Sequence, residues 1–183
     1  MNVIIDTSSL LALVRYYLPF DTNNTLKDYF NQKFDSGEIL ILDKVYEEAT
    51  YISHGVIIKE LPFINDKSKH IKTTEILPNS TFFNLLENQF CDKDIKKLKD
   101  ISDTEFELEK SKYLNNADAK MILYALRIKQ DNPILVTEET RNSNDNKLFK
   151  KLPENCYNVN IECCNLPFLL KEHFKLNIGS YLI

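Results

Sequence analysis

The stretch NVIIDTSSLL, residues 2–11, decides the fold. Val3, Ile4 and Ile5 are β-branched and follow one another with no polar alternation. A strand without a polar face is buried on both sides, as in a parallel sheet covered by helices. Asp6 then interrupts the apolar run, and Ser8 or Ser9 can cap a helix over 10–17 that Pro19 ends. Strand, acid, helix in that order puts Asp6 at the carboxyl edge of the sheet, where open α/β folds bind their ligands.

Three further segments carry an acid at a comparable place. In EILILDKVYEEA, residues 38–49, a buried strand over 38–42 leads into a helix that Asp43 can cap, carrying Glu47 and Glu48. Val45 and Ala49 define the inward stripe of that helix, and Glu48 lies one turn from Val45 on the same side. Glu47 is then the solvated neighbour. In NADAKMILYAL, residues 116–126, the helix predicted over 117–128 is apolar nearly all round, so its first turn, with Asp118, lies close to the core. In PILVTEETRN, residues 133–142, a third buried strand over 133–137 runs into Glu138 and Glu139, with Asp145 a further carboxylate in the loop that follows. The NSNDN run of that loop lacks the glycine and the terminal Glu of a calcium-binding EF-hand.

Each acid alone also has a plain structural explanation, as a helix cap or a dipole-favoured first-turn residue. Together, Asp6, Glu48, Asp118 and Glu139 are brought to one edge if the strands are parallel. Four such carboxylates without matching Arg or Lys repel one another, and a divalent cation with a preference for oxygen ligands, Mg²⁺ or Mn²⁺, is their natural partner.

Between the second and third acids lies a long helical stretch: helices are expected over 82–90, 92–100 and 103–113, after a short strand at 56–58. DKDIKKLKD, residues 92–100, mixes charges at helical spacing and reads as a solvated face; Lys67, Lys69 and Lys72 are the candidates there for phosphate contacts. A short fourth strand at 159–161 and a closing helix over 166–174 complete the order. Alternating strands and helices predict an α/β fold, a three-layer α/β/α arrangement around a mainly parallel sheet of four to five strands. A chain of 183 residues with 43% hydrophobic and 27% charged residues suits a single domain over 1–183, with a helical insertion at about 56–112.

Composition excludes several classes. Only Gly37, Gly55 and Gly179 occur, so neither a P-loop nor a GxGxxG dinucleotide turn can be built. A phosphatase of the DxDx[TV] kind is out, because the second Asp is replaced in Asp6-Thr7-Ser8. Cys91, Cys156, Cys163 and Cys164 form no CxxC pair and are expected to be reduced, and His54, His70 and His173 form no metal-binding pattern. No apolar run reaches the roughly 18 residues of a membrane span, and the start lacks a basic region before an apolar one, so a cytoplasmic location is expected. The net charge of −4 marks no basic nucleic-acid-coating protein, though bound dications would offset part of it.

The four motifs in this order resemble the PIN domain family, in particular its VapC-like ribonuclease toxins. VIIDTSSLL resembles that family's opening strand with its metal-binding Asp, here Asp6, followed by hydroxyls; ILILDKVYEEA, NADAKMILYAL and ILVTEE resemble the segments supplying its other acids, here Glu48, Asp118 and Glu139. The resemblance implies a PIN-like fold and a Mg²⁺- or Mn²⁺-dependent endoribonuclease with these four residues as catalytic and metal-binding groups. It also implies RNA as substrate, with an antitoxin protein or a second copy of the chain as partner. The alternative is a non-catalytic PIN-like interaction module. The fourth acid is Glu where many relatives have Asp, the stretch between Glu48 and Asp118 is longer than in compact toxins, and LFKKLPENC, residues 148–156, resembles PIN-like proteins outside the best-known toxins.

Overall fold

In a computed structural model, which describes residues 1–141 and 146–180, the first strand β1 (Val3–Ile5) leads into helix α1 (Thr7–Ala12). The helix widens into a π-turn over Leu13–Tyr17 and tightens over Leu18–Phe20, where Pro19 removes an amide donor. Helix α2 (Thr25–Asp35), strand β2 (Ile39–Leu40), helix α3 (Asp43–Tyr51) and helix α4 (Val56–Glu60) follow. The helical stretch then contributes α5 (Ser80–Leu85), α6 (Lys93–Leu98) and α7 (Asp103–Leu114). After helix α8 (Ala117–Arg127) and strand β3 (Ile134–Val136) come helix α9 (Leu152–Asn158), strand β4 (Glu162–Cys164) and the short α10 (Leu166–Phe168), which continues as a π-turn over Leu169–His173.

The four strands form one all-parallel sheet in the order β2-β1-β3-β4. In register, Val3 and Ile4 face Ile39 and Leu40 on one side, and Val3, Ile4 and Ile5 face Ile134, Leu135 and Val136 on the other. All three residues of β1 and of β3 are buried; because successive side chains point to opposite faces, helices must cover both sides of the sheet. The expected three-layer α/β/α architecture is present. The chain steps from β1 outward to β2, then crosses back over β1 to β3. That reversal creates a topological switch point between β1 and β3, and a crevice at their carboxyl ends.

Four local expectations are corrected. Asp6, not Ser8 or Ser9, caps α1: its Oδ1 accepts from the Thr7 amide at 2.7 Å. Asp43 opens α3 from inside, and its Oδ2 takes the Thr73 amide at 3.1 Å, because the parallel bridge Leu42–Ile71 brings that distant segment alongside. Residues 56–58 are helical: Gly55, at φ +71°, makes a left-handed turn after α3 in which an added Cβ would stand 2.8 Å from the Thr50 carbonyl oxygen. The fourth strand begins at Glu162, three residues later than expected; Val159 and Ile161 are buried in the turn before it, where Asn160 adopts φ +52°.

DKDIKKLKD is the solvated segment expected, since α6 has no buried residue. His70 is a packing residue, buried with Nε2 at 2.8 Å from the Ile64 carbonyl oxygen. All four cysteines are free thiols. Among the described residues no helix is long and apolar enough to cross a membrane.

Candidate functional site

The crevice between β1 and β3 is where Asp6 emerges. Its amide donates to the Val136 carbonyl at 2.8 Å, continuing the ladder one residue past the strand, and the residue is 7% exposed. Asp6 Oδ2 accepts from Ser8 Oγ at 2.6 Å and from Thr137 Oγ1 at 2.9 Å, so the residues leaving the two central strands share one carboxylate. Three donors fix its direction, and burial leaves little room for another rotamer.

Thr7 links Asp6 to Glu48. Its amide binds Asp6 while its Oγ1 donates to Glu48 Oε2 at 2.9 Å. Val45 and Ala49 are fully buried, as the helical stripe requires, and they turn Glu48 toward α1. Burial, and behind it the charges of Asp6 and Glu47, raise the Glu48 carboxyl above its ordinary range against the Thr7 hydrogen bond. Glu47 stands outside, 60% exposed and paired with Lys44 at 2.7 Å, so the choice of Glu48 over Glu47 follows from the helix face.

On the other side Thr137 links Asp6 to Glu139, whose amide donates to Thr137 Oγ1 at 3.2 Å. The two adjacent glutamates separate. Glu138 Oε1 accepts from Ser9 Oγ at 3.1 Å and from the Leu166 amide at 2.8 Å, tying α1 and α10 to the end of β3. Glu139 faces a cleft that Asp118 also lines, and its Oε2 accepts from the Leu152 amide at 3.1 Å. Asp145 lies outside the described residues. Glu138 is therefore a structural clamp, with a testable signature. Glu138→Ala leaves the buried Leu166 amide unpaired and is expected to cost about 1–3 kcal/mol in urea unfolding, whereas Glu138→Gln, which keeps the acceptor, costs little. Equal losses in both would show that charge, not the acceptor, matters there.

Asp118 enters from α8. Asn116 caps this helix, accepting from the Ala119 amide at 2.9 Å, which fixes where the first turn begins. Among the described residues nothing donates a hydrogen bond to the Asp118 carboxylate. Burial, then the charges of Asp6, Glu139 and Glu48, push its pKa up to about 7, and Lys147 is the cation that opposes them. Tyr113, buried beside it and stacked on Phe149 at 4.4 Å between ring centroids, is held as a neutral phenol by burial and by the Asp118 charge; its oxygen accepts from Asn155 Nδ2 at 3.0 Å.

The four sequence-derived acids are thus brought together: Glu48, Asp6 and Glu139 through a chain of hydrogen bonds on Thr7 and Thr137, and Asp118 through its electrostatic coupling to all three. Their donor set is all oxygen, with hydroxyls from Ser8 and Thr137 beside it, which is the chemistry a hard dication takes. They are not drawn into a finished shell. Among the described residues no group of three His, Cys, Asp or Glu side chains is disposed to hold a metal ion, and Asp6, Glu48 and Glu139 give their oxygens to hydroxyl and amide donors.

The model of the family described as Domain of unknown function (DUF4411) matches residues 3–176, the span that contains every element of this site. The chain belongs to the DUF4411 family. Compared with the curated proteins and with the solved structures, it has no match in either.

Within this DUF4411 domain, sequence reading missed the residues around Asp118. Tyr113 sits in a segment without a motif and Asn155 in LFKKLPENC, which carried no site residue in the sequence reading; their role depends on α7 and α9 both packing against α8. The cleft wall was missed as well. It is lined by Lys99 and Lys112 from the helical stretch and by Lys147, Lys150 and Lys151 after β3, whereas Lys67, Lys69 and Lys72 line no part of it. Lys69 instead pairs with Asp35 at 2.6 Å. The adjacent lysines of LFKKLPENC were the one visible signal.

Proposed function

We propose that this chain is a Mg²⁺- or Mn²⁺-dependent nuclease of PIN type that hydrolyses RNA phosphodiester bonds. The observation that carries the reading is Asp118: a carboxyl raised to about 7 by burial and then by three other carboxylates, with Lys147 as the opposing cation. Such an excess of negative charge in a crevice is destabilising unless something positive completes it, and strongly perturbed acids in a cleft are candidates for chemistry. Asp6 and Asp118 would hold the ion directly, with Glu48 and Glu139 completing the shell. When bound, it neutralises charge on phosphate oxygens and makes water more acidic.

The protein's own groups divide the remaining work. Thr7, Ser8 and Thr137 fix the Asp6 oxygens, so this ligand needs no reordering when the site is filled. Asp118, raised to about 7, is the group able to exchange a proton with water near neutral pH, and Glu48 is shifted in the same direction by burial. RNA in preference to DNA follows from the resemblance to ribonuclease toxins, and a toxin role with an antitoxin partner or a homodimer is the narrower form of the proposal.

The test is cleavage of mixed single-stranded RNA by the purified chain with Mg²⁺ or Mn²⁺ and with chelator. Cleavage that chelator abolishes is expected. RNAs of several sequences left intact with both metals would overturn the reading in favour of an interaction module. A small adjacent reading frame whose product binds the chain and blocks cleavage would mark the toxin form.

A further inference from the structure

The net charge of the chain is −4, yet one wall of the cleft beside the four acids is cationic. The cleft, about 870 Å³, opens beside Asp118 and Glu139 and is bounded by α7 and by the chain from Asn146 into α9. Five lysines line it, and apart from the two site acids only Glu105 and Glu109 oppose them among the described lining residues. Lys112 lies in the last turn of α7, three residues before Asn115, and joins Glu109 in an exposed pair at 2.6 Å; Lys147 is 65% exposed and 4.0 Å from Glu139. Among the described residues no carboxylate pairs with Lys150. Surface pairs of the Lys112–Glu109 kind are worth little, so such an ammonium is readily recruited by a stronger anion.

We propose that this cleft is the track along which a single nucleic-acid strand reaches the four-acid pocket, with the lysines meeting its phosphates. The inference rests on the nuclease reading for the identity of the polymer. Three features favour a phosphate chain. The cations run up to the carboxylates, which suits a substrate with repeated negative charges, one of which must enter the acid pocket. Along α7 the wall extends from Glu105 to Lys112, about 10 Å at 1.5 Å per residue, enough for about three stacked nucleotides at 3.4 Å each. Ile101 and the 57% exposed Leu108 add apolar surface on the same wall for base faces. The described cations are all lysine, point charges without the bidentate fork that reads base edges, so the track would grip backbone and leave sequence unread. About half of it comes from α7 and from Lys99 and Ile101 just before it, which gives the long helical stretch a task.

Binding is read in chelator, where no cleavage can occur, by fluorescence anisotropy of a labelled single-stranded 12-nucleotide RNA across about 50–200 mM salt. The double variant Lys112→Gln/Lys150→Gln is expected to bind about tenfold more weakly at the low-salt end. Each lost phosphate contact should lower the slope of log affinity against log salt by about 0.7. Lys59→Gln/Lys171→Gln removes equal charge away from the cleft and should change neither quantity. The proposal is overturned if both double variants lose affinity equally, if neither does, if wild type binds no RNA, or if polyglutamate of equal charge displaces the RNA as well as unlabelled RNA does. The two readings fail separately. RNA held through these lysines but never cut sinks the nuclease, while chelator-sensitive cutting unaffected by Lys112→Gln/Lys150→Gln sinks the track.

Discussion

Asp6→Asn and Asp118→Asn each lower Mg²⁺- or Mn²⁺-dependent RNA cleavage at least about 100-fold while the fold is kept. Substituting mere supports of metal ligands already costs 10- to 100-fold, and these two are proposed as ligands themselves. The amide matches the carboxylate in shape but removes a full negative charge from a site that must hold a dication. For Asp6 the substitution also replaces an oxygen that accepts from Ser8, Thr137 or the Thr7 amide by an NH₂ group that cannot. Glu47→Gln is the internal control: exposed and paired with Lys44, it is expected to leave cleavage within twofold of wild type. Initial rates with each metal decide the matter. Wild-type, chelator-sensitive rates in both Asp variants would remove these acids from the catalytic centre.

The difference between what the sequence disclosed and what it concealed has a physical basis. β1 and β3 were readable because both faces are covered, and a strand without a polar side leaves an uninterrupted apolar run. β4 was misplaced because it is an edge strand, with Glu162 exposed and the two cysteines half-buried, while the apolar Val159 and Ile161 serve the turn before it. Residues 56–58 read as a strand because three apolar residues fit either period, and only the left-handed Gly55 settles the matter. Asp6 could be found since it stands one step beyond a buried strand, Glu48 since it lies one turn from Val45 on the inward side of its helix, and Asp118 since it opens a buried helix. Separating Glu138 from Glu139 required the sheet: one reaches Ser9 and Leu166, the other turns into the cleft, and adjacent identical residues carry no mark of that difference. The lysines stayed hidden for a related reason, being contributed by segments some 35 residues apart at the nearest, between Lys112 and Lys147, and joined only by the packing of α7 and α9 around α8.

Asp118→Asn should also make the metal-free protein markedly more stable, and only at neutral and alkaline pH. The ordinary aspartate value is 3.8, and in the folded chain Asp118 is raised to about 7. Below the lower value the carboxyl is protonated whether folded or unfolded, and its ionisation contributes nothing. Between the two values the unfolded chain releases the proton while the folded chain keeps it, so stability falls as pH rises. Above about 7 the loss is complete, on the order of 4 kcal/mol if the whole shift acts on folding. Asparagine cannot ionise and escapes that loss. In chelator at pH 8 the variant should melt several degrees above wild type, since 1 kcal/mol moves the midpoint of a chain this size by about 2–4 °C. The gap should narrow steadily as pH is lowered toward 4. Mg²⁺ or Mn²⁺ should then raise the wild-type midpoint at pH 8 and leave the variant nearly unmoved, because the destabilising charge is the one the ion needs. A variant no more stable than wild type at pH 8, or a gap independent of pH, would mean that Asp118 is not held against its charge by burial and the other three carboxylates, and the argument for a cation at this crevice would lose its main support.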